Sequence, residues 1–543
     1  MKEEAMYFDE LYQPYASNRY CITAKNGMAA TGSNLASAAG LEVLMKGGNA
    51  VDAAVATAAA LTVVEPTANG LGADSFALIW MKDRLYGLNS SGYAPSGISR
   101  EDVLKNSPDG KMPTHGWTPV MVPGAVKAWP TLVKRFGKLS LKEDLAPAIR
   151  YAEEGYPLGP MLAKMWERSV GIFHKRFDGK PEYDEWFRTF TKDGESYHFG
   201  EMVRLPNHAR TLRLIAETDG DAFYKGEIAA QLIRQSERDG RGYFRYEDLA
   251  SYESQWVDPI SVNYRGYDVW EIPPNGQGIA ALMALNILKE FEFPEKESAE
   301  TYHKQIEAMK IAFADTQHYV TDPGKMTVDY HDFLKPEYGR MRAKEITGTA
   351  GLPSFTEPPK SGTVYMCTAD GEGNMVSLIQ SNYMGFGSGI VLEGYGVGLQ
   401  NRGADFSLNP EDANVLEPLK KSYHTIIPGF LTKGGKAVGP FGVMGGYMQP
   451  QGHVQVVMNT VDFHLNPQMA LDAPRWQWLK EKSVSVESSF SNQIAQQLAA
   501  RGHDISVALN SSGFGRGQMI VRLDNGVLVG GTESRTDSNI ACY

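Results

Sequence analysis

Cysteine is scarce: 543 residues carry three, Cys21, Cys367 and Cys542, too few for a disulfide framework and too scattered for a metal-binding spacing. There is no HExxH and no clustered Cys/His set, so a metal hydrolase lacks ligands and neither metal nor cofactor is expected. GxSxG is missing too; Gly385-Phe-Gly-Ser-Gly389 has its serine in the wrong place for a nucleophile elbow. No Walker sequence occurs, and no GxGxxG follows a strand, which removes the usual nucleotide sites. Positive charge is in deficit. A net charge of −11 argues against a nucleic-acid partner and fits simple solubility. The longest apolar run, 50–64, contains Asp52 and falls short of the roughly 20 residues that span a bilayer. The first ten residues put acids where a signal peptide has its basic region. The expectation is a soluble, cytoplasmic protein with no membrane partner.

What is present is ordinary globular composition, 42% hydrophobic and 22% charged, in a chain long enough for two domains or one large α/β unit. Ser33 is a fair N-cap for a helix in which Leu35, Ala39 and Val43 share a face, and Gly47-Gly48 stops it. A second helix begins near Asp52 and is apolar all round to Val64, the pattern of a buried helix. Residues 76–80 and 85–88 read as a hairpin turning at Lys82-Asp83. From about 140 to 345 the chain reads as helical, with examples at 145–154, 208–217, 228–237 and 278–291. Residues 347–362, rich in Gly, Pro, Ser and Thr, read as a linker. Strand patterns follow, at 364–368 and 375–380 around Asp370-Gly-Glu-Gly373, and again around Asp524-Asn-Gly526. A strand-rich last third is therefore expected after a helix-rich remainder.

The linker ends at Gly362 and a strand starts at Thr363. A threonine hydroxyl is a weak nucleophile without a base beside it. Breaking the peptide bond before Thr363 would supply one, an α-amine whose reference pKa of roughly 7.7–8.0 leaves a neutral fraction near pH 7. By itself a Gly-Thr before a strand is commonplace. Farther on, Gly442-Val-Met-Gly-Gly-Tyr-Met-Gln449 offers two successive glycines, which can turn N–H groups toward one point as an oxyanion hole requires, or can simply make a tight turn.

Together these blocks resemble the γ-glutamyltranspeptidases. The stretch LASAAGLEVLMKGGNAVDAAVATAAALTVVEP from Leu35 to Pro66 is similar to the start of that family, and VPGAVKAW to another of its blocks. The run from Thr363 resembles the start of its small subunit, and the ending GGTESRTDSNIACY its closing segment. The resemblance implies an α/β fold, a four-layer αββα sandwich of the N-terminal-nucleophile (Ntn) hydrolases. It implies two subunits, 1–362 and 363–543, cut from one proenzyme between Gly362 and Thr363 and paired as a heterodimer that can itself dimerise. Thr363 would be the nucleophile, Gly445 and Gly446 the oxyanion hole, and Ser381 a hydroxyl orienting Thr363. In LQNRGADFSL, Asp405 matches the aspartate that binds the substrate α-amino group. The substrate would be a γ-glutamyl or related small acyl amide, cleaved through an acyl-threonine intermediate, with the acyl group passing to water or an amine acceptor.

Three departures bear on that substrate. Ser91, in Asn89-Ser-Ser-Gly-Tyr-Ala-Pro95, stands where glutathione-cleaving members have a carboxylate-gripping arginine, and a serine cannot supply a bidentate charged clamp. Tyr423-His424 replaces a pair of serines, and Tyr383 stands where an asparagine is expected, with Asn382 beside it. Losing one charge-assisted hydrogen bond costs roughly 1.5–3 kcal/mol, so weak glutathione activity is expected. The variant resembles the branch containing cephalosporin-acylase-like proteins and oxamate amidohydrolase. Arg402, Tyr423, His424 and Gln449 are the candidates for reading a different acyl group, each with a structural role as the alternative. Two other readings stay open: an oxamate, glutaryl or cephalosporin-type amide hydrolase, and a catalytically silent binding protein on the same fold.

Overall fold

Along the strand Gly362–Asp370, Val364 and Met366 pack with helices while Tyr365, Cys367 and Ala369 pack against a second sheet. This is the period-2 alternation of a strand buried on both faces. The computed structural model that shows this describes residues 19–352 and 362–543. The acidic first residues and linker positions 353–361 lie outside the described residues.

Two seven-stranded sheets, antiparallel throughout, form the centre. The first has the order Asn539–Cys542, Gly27–Thr31, Gly362–Asp370, Met375–Tyr383, Asp74–Met81, Arg84–Ser90 and Gln255–Val257. The second runs Ile22–Ala24, Leu528–Thr532, Arg516–Arg522, Lys436–Met444, Gly429–Lys433, Tyr267–Glu271 and Ile260–Tyr264. Phe76, Leu78, Tyr365 and Ile379 of one sheet meet Phe430, Met444 and Ile520 of the other to fill the space between them. Helices Asn34–Met45, Ala50–Val64, Ala125–Phe136 and Leu141–Glu154 cover the first sheet, and Gly278–Leu288, Ala299–Tyr319 and Met448–Val461 cover the second. The result is the four-layer αββα sandwich.

The helix Ala50–Val64 is buried along its whole length, as its composition requires. Asp52 is tolerated there because it is the third residue of a capping box. The Asn49 side chain accepts from the N–H of Val51 and Asp52, and Asp52 Oδ2 accepts from Asn49 N at 2.7 Å. The helix starts at Ala50, two residues before the start expected near Asp52. Ser33 does precede the first helix, but its side chain makes no capping bond. The described residues are helix-rich before the linker and strand-rich after it, as expected, but Ile22–Ala24, Gly27–Thr31 and the three strands between 255 and 271 add to the sheets from before the linker without having been read from sequence. Short strands flanked by loops carry too little periodicity to be read one at a time. Gly362, taken as the last linker residue, is instead the first residue of a central strand.

Candidate active site

Thr363 sits at an irregularity in that strand. Gly362 pairs with Tyr383 and Val364 with Gln380, so Ser381 and Asn382 together oppose the single residue Thr363. Such a bulge re-aims a side chain at the end of a ladder. Thr363 Oγ1 lies 2.8 Å from the Gly362 carbonyl oxygen and 3.0 Å from Ser381 Oγ. Ser381 Oγ donates to the same carbonyl at 2.7 Å and accepts from Tyr383 N at 2.8 Å. Two hydroxyls thus converge on the carbonyl of the Gly362–Thr363 bond. Thr363 is buried, and so is Ser381.

Tyr383 ends the neighbouring strand with φ at 77°, a left-handed conformation that costs a tyrosine backbone strain. Its phenol donates to Asp405 Oδ1 at 2.6 Å. Tyr447 OH reaches the same oxygen at 3.3 Å, and Arg402 Nη1 lies 3.4 Å from Oδ2. Burial raises the Asp405 pKa above the usual carboxylate range, against the pull of Arg402 and the two phenols. Burial also holds both phenols well above their ordinary value, so they stay donors. The Arg402 guanidinium lies over the Tyr383 ring, 4.0 Å from its centroid, and Nη1 donates to Thr425 Oγ1 at 2.7 Å. Among the described residues, Arg402 Nε and Nη2 have no hydrogen-bond partner although the side chain is 1% exposed.

Gly445 and Gly446 follow the strand Lys436–Met444 with φ of 137° and 61°, which only glycine adopts at little cost. Their carbonyls accept from Met448 N and Gln449 N, opening the helix Met448–Val461. Gln277 Nε2 ties the Gly446 carbonyl to that of Thr425. Tyr447, through Asp405 and Tyr383, brings this turn to the Thr363 end of the first sheet. Gln449 Oε1 accepts from Ile427 N at 3.0 Å, and its Nε2 is buried with no partner among the described residues. Tyr423 stacks on Tyr447, with ring centroids 5.8 Å apart, and lies 3.3 Å from Gln277 Oε1.

Two candidates are occupied by the chain itself. His424 donates from Nε2 to Asp74 Oδ2 at 3.1 Å and accepts from Ile426 N at Nδ1, and burial keeps it neutral by lowering its pKa well below the ordinary value. Both ring nitrogens of His424 are thus bonded within the chain, the arrangement of the structural alternative expected for it. Ser91 is buried on Asn89 Oδ1 at 2.8 Å, and its carbonyl accepts from Lys421 Nζ at 2.7 Å. Burial pushes Lys421 down to about 8, against the attraction of Asp74 and Asp322, and pushes Asp74 up to about 6. Asn382 Oδ1 is buried with no partner among the described residues. Lys421, Tyr447, Gln277 and Thr425 were missed at the sequence level. No local motif marks them, since each acts through a contact more than ten residues away in the chain.

Elsewhere, His303, Glu307 and His503 lie close enough to share an ion. Lys310 Nζ already donates to Glu307 Oε1 at 2.7 Å and His303 Nδ1 is 2.8 Å from His503 Nε2, while His503 Nδ1 is buried with no partner among the described residues. Among the described residues no helix is long and apolar enough to cross a membrane.

A family model described as gamma-glutamyltranspeptidase matches residues 36–543. The glutathione hydrolase-like YwrD proenzyme of Bacillus subtilis is 35% identical over 516 residues, covering 93% of this chain and 96% of its own. The oxamate amidohydrolase proenzyme of Klebsiella pneumoniae is 32% identical, covering 95% and 98%. A crystal structure of a cephalosporin acylase from Bacillus halodurans superposes with a TM-score of 0.96 at 55% identity, covering 99% of each chain.

Proposed function

The chain belongs to the gamma-glutamyltranspeptidase family, and from that premise we propose that it is a proenzyme which cuts itself between Gly362 and Thr363 and then cleaves small acyl amides through an acyl-Thr363 ester. The convergence of Thr363 Oγ1 and Ser381 Oγ on the Gly362 carbonyl carries the reading. Thr363 Oγ adds to that carbonyl carbon, the C–N bond to Thr363 breaks, and water hydrolyses the resulting ester. The products are a 1–362 subunit ending in a carboxylate and a 363–543 subunit beginning with a free amine. The two stay together as a heterodimer, because the new subunit's first strand is paired on both sides, by Gly27–Thr31 and by Met375–Tyr383.

In turnover, Thr363 Oγ attacks the substrate carbonyl while its own α-amine takes the proton and passes it to the leaving amine. With the carbonyls of Gly445 and Gly446 spent on the following helix, their N–H groups are what the turn offers to the tetrahedral oxyanion. Ser381 orients the nucleophile. Water or an acceptor amine then releases the acyl group from the ester. The relatives, a glutathione hydrolase-like proenzyme, an oxamate amidohydrolase and a cephalosporin acylase, share amide cleavage by name and differ in the acyl group.

Thr363→Ala tests the assignment. The variant should remain one chain and release no product from any amide, whereas Thr363→Ser should still split. A Thr363→Ala protein that cuts between 362 and 363 would assign the nucleophile elsewhere.

A further inference from the structure

On the helix side of the Thr363 bulge, Asn382 borders a small internal cavity of about 10 Å³, whose lining includes Thr62, Asn69, Phe190, His208 and Phe386, all of them buried. Three of these side chains carry buried polar atoms with no partner among the described residues. They are Asn69 Nδ2, a donor, Asn382 Oδ1, an acceptor, and both ring nitrogens of His208. Burial lowers the His208 pKa to about 4, so the ring is neutral and offers one N–H and one lone pair. Buried donors and acceptors left unpaired are costly. The cavity has the size of one water, and an internal water needs roughly two to four polar partners.

We propose that this cavity binds one ordered water, held by Asn69 Nδ2, Asn382 Oδ1 and the His208 ring, and that His208 acts through it as a positioning residue for Thr363. The inference rests on the acyl-Thr363 reading for what is positioned. Asn382 and Ser381 together oppose Thr363 in the bulge. The backbone of Asn382 is fixed on both sides, its N–H donating to the Ala68 carbonyl at 3.2 Å and its carbonyl accepting from Asn401 N at 3.1 Å. Along this strand Gln380 and Asn382 face the helices, while Ser381 between them faces the nucleophile. Gln380 Oε1 accepts from Trp129 Nε1 at 2.8 Å, and its Nε2 lies 3.4 Å from Asn69 Oδ1. A polar chain therefore runs from Trp129 through Gln380 and Asn69 to the water and on to Asn382. His208, on the helix Pro206–Glu217, closes it from the far side. What the chain fixes is the strand end on which the 2.7 Å bond from Ser381 Oγ to the Gly362 carbonyl depends.

A high-resolution crystal structure of the wild-type protein reads the water directly. One peak of density within hydrogen-bond distance of Asn69 Nδ2, Asn382 Oδ1 and a His208 nitrogen supports the proposal. An empty cavity, or a His208 ring bonded directly to Asn382, overturns it. Neither result depends on turnover, so the acyl-Thr363 reading stands or falls separately. In solution, His208→Leu should slow self-cleavage and lower kcat on glutaryl p-nitroanilide about 5- to 10-fold with KM unmoved, the effect of roughly one neutral hydrogen bond felt in the transition state. His208→Gln keeps a donor and an acceptor and should recover most of that rate. A histidine that only fills space would lower Tm in His208→Leu and leave kcat of the folded enzyme at the wild-type value, and that outcome would overturn the positioning role.

Discussion

At the scale of single residues, the reading turns on which polar atoms the chain satisfies itself. Ser381 was legible as a hydroxyl near Thr363 only through family resemblance. Its actual contribution, a 2.7 Å bond to the Gly362 carbonyl, depends on a bulge that no local pattern announces. Ser381→Ala should leave the fold intact and slow self-cleavage about 10-fold, the value of roughly one neutral hydrogen bond. The time course of chain splitting on denaturing gels measures it, and a variant that splits at the wild-type rate would remove Ser381 from the site. His424 shows the opposite case. In sequence, Tyr-His in place of two serines looks like a changed substrate contact, but the imidazole is held between Asp74 and Ile426 N. A residue's type states what it can bond to; only the fold states whether those bonds are already made.

At the scale of elements, composition located the buried helix Ala50–Val64 because an all-apolar helix has one stable environment. It did not show what the helix end touches. Glu65, the residue after it, pairs with Arg516 Nη1 at 3.1 Å, joining the part of the chain before the linker to a strand after it. Burial raises Glu65 to about 7, outweighing the attraction of Arg516. A carboxyl whose folded pKa lies above its ordinary 4.5 binds its proton more tightly when folded. The linked stability is therefore complete below pH 4.5 and is lost as pH rises through 7. Glu65→Gln cannot titrate, so its stability should change less than wild type between pH 5 and 8, by about 1–3 kcal/mol. Chemical denaturation across that range checks it, and parallel slopes for the two proteins would contradict it. The strands Ile22–Ala24 and Gly27–Thr31 were not read from sequence at all. Their partners lie more than three hundred residues away, at Leu528–Thr532 and at Gly362–Asp370, so short-range pattern has nothing to detect.

At the scale of the whole molecule, both sheets are woven from residues on either side of the linker, and the core between them is shared. That is what a chain cut after folding requires. For the proposed cut before Thr363, the central strand of the first sheet would have to be in place first, and pairing on both of its edges would then keep the pieces together. The four-layer architecture and the family were legible because long blocks, from Leu35 to Pro66 and from Thr363 onward, carry them jointly. Asp405, Arg402 and Tyr383 were named as candidates from sequence, but the convergence of Tyr383 and Tyr447 on the Asp405 carboxylate was not legible, because those contacts are tertiary. The most direct test of the account is peptide mapping by mass spectrometry of protein quenched during turnover of a glutaryl anilide. The account predicts a new N-terminus at Thr363 and a glutaryl mass increment on the peptide that begins there. Amide turnover by an uncut chain, or an increment on any other peptide, would contradict it.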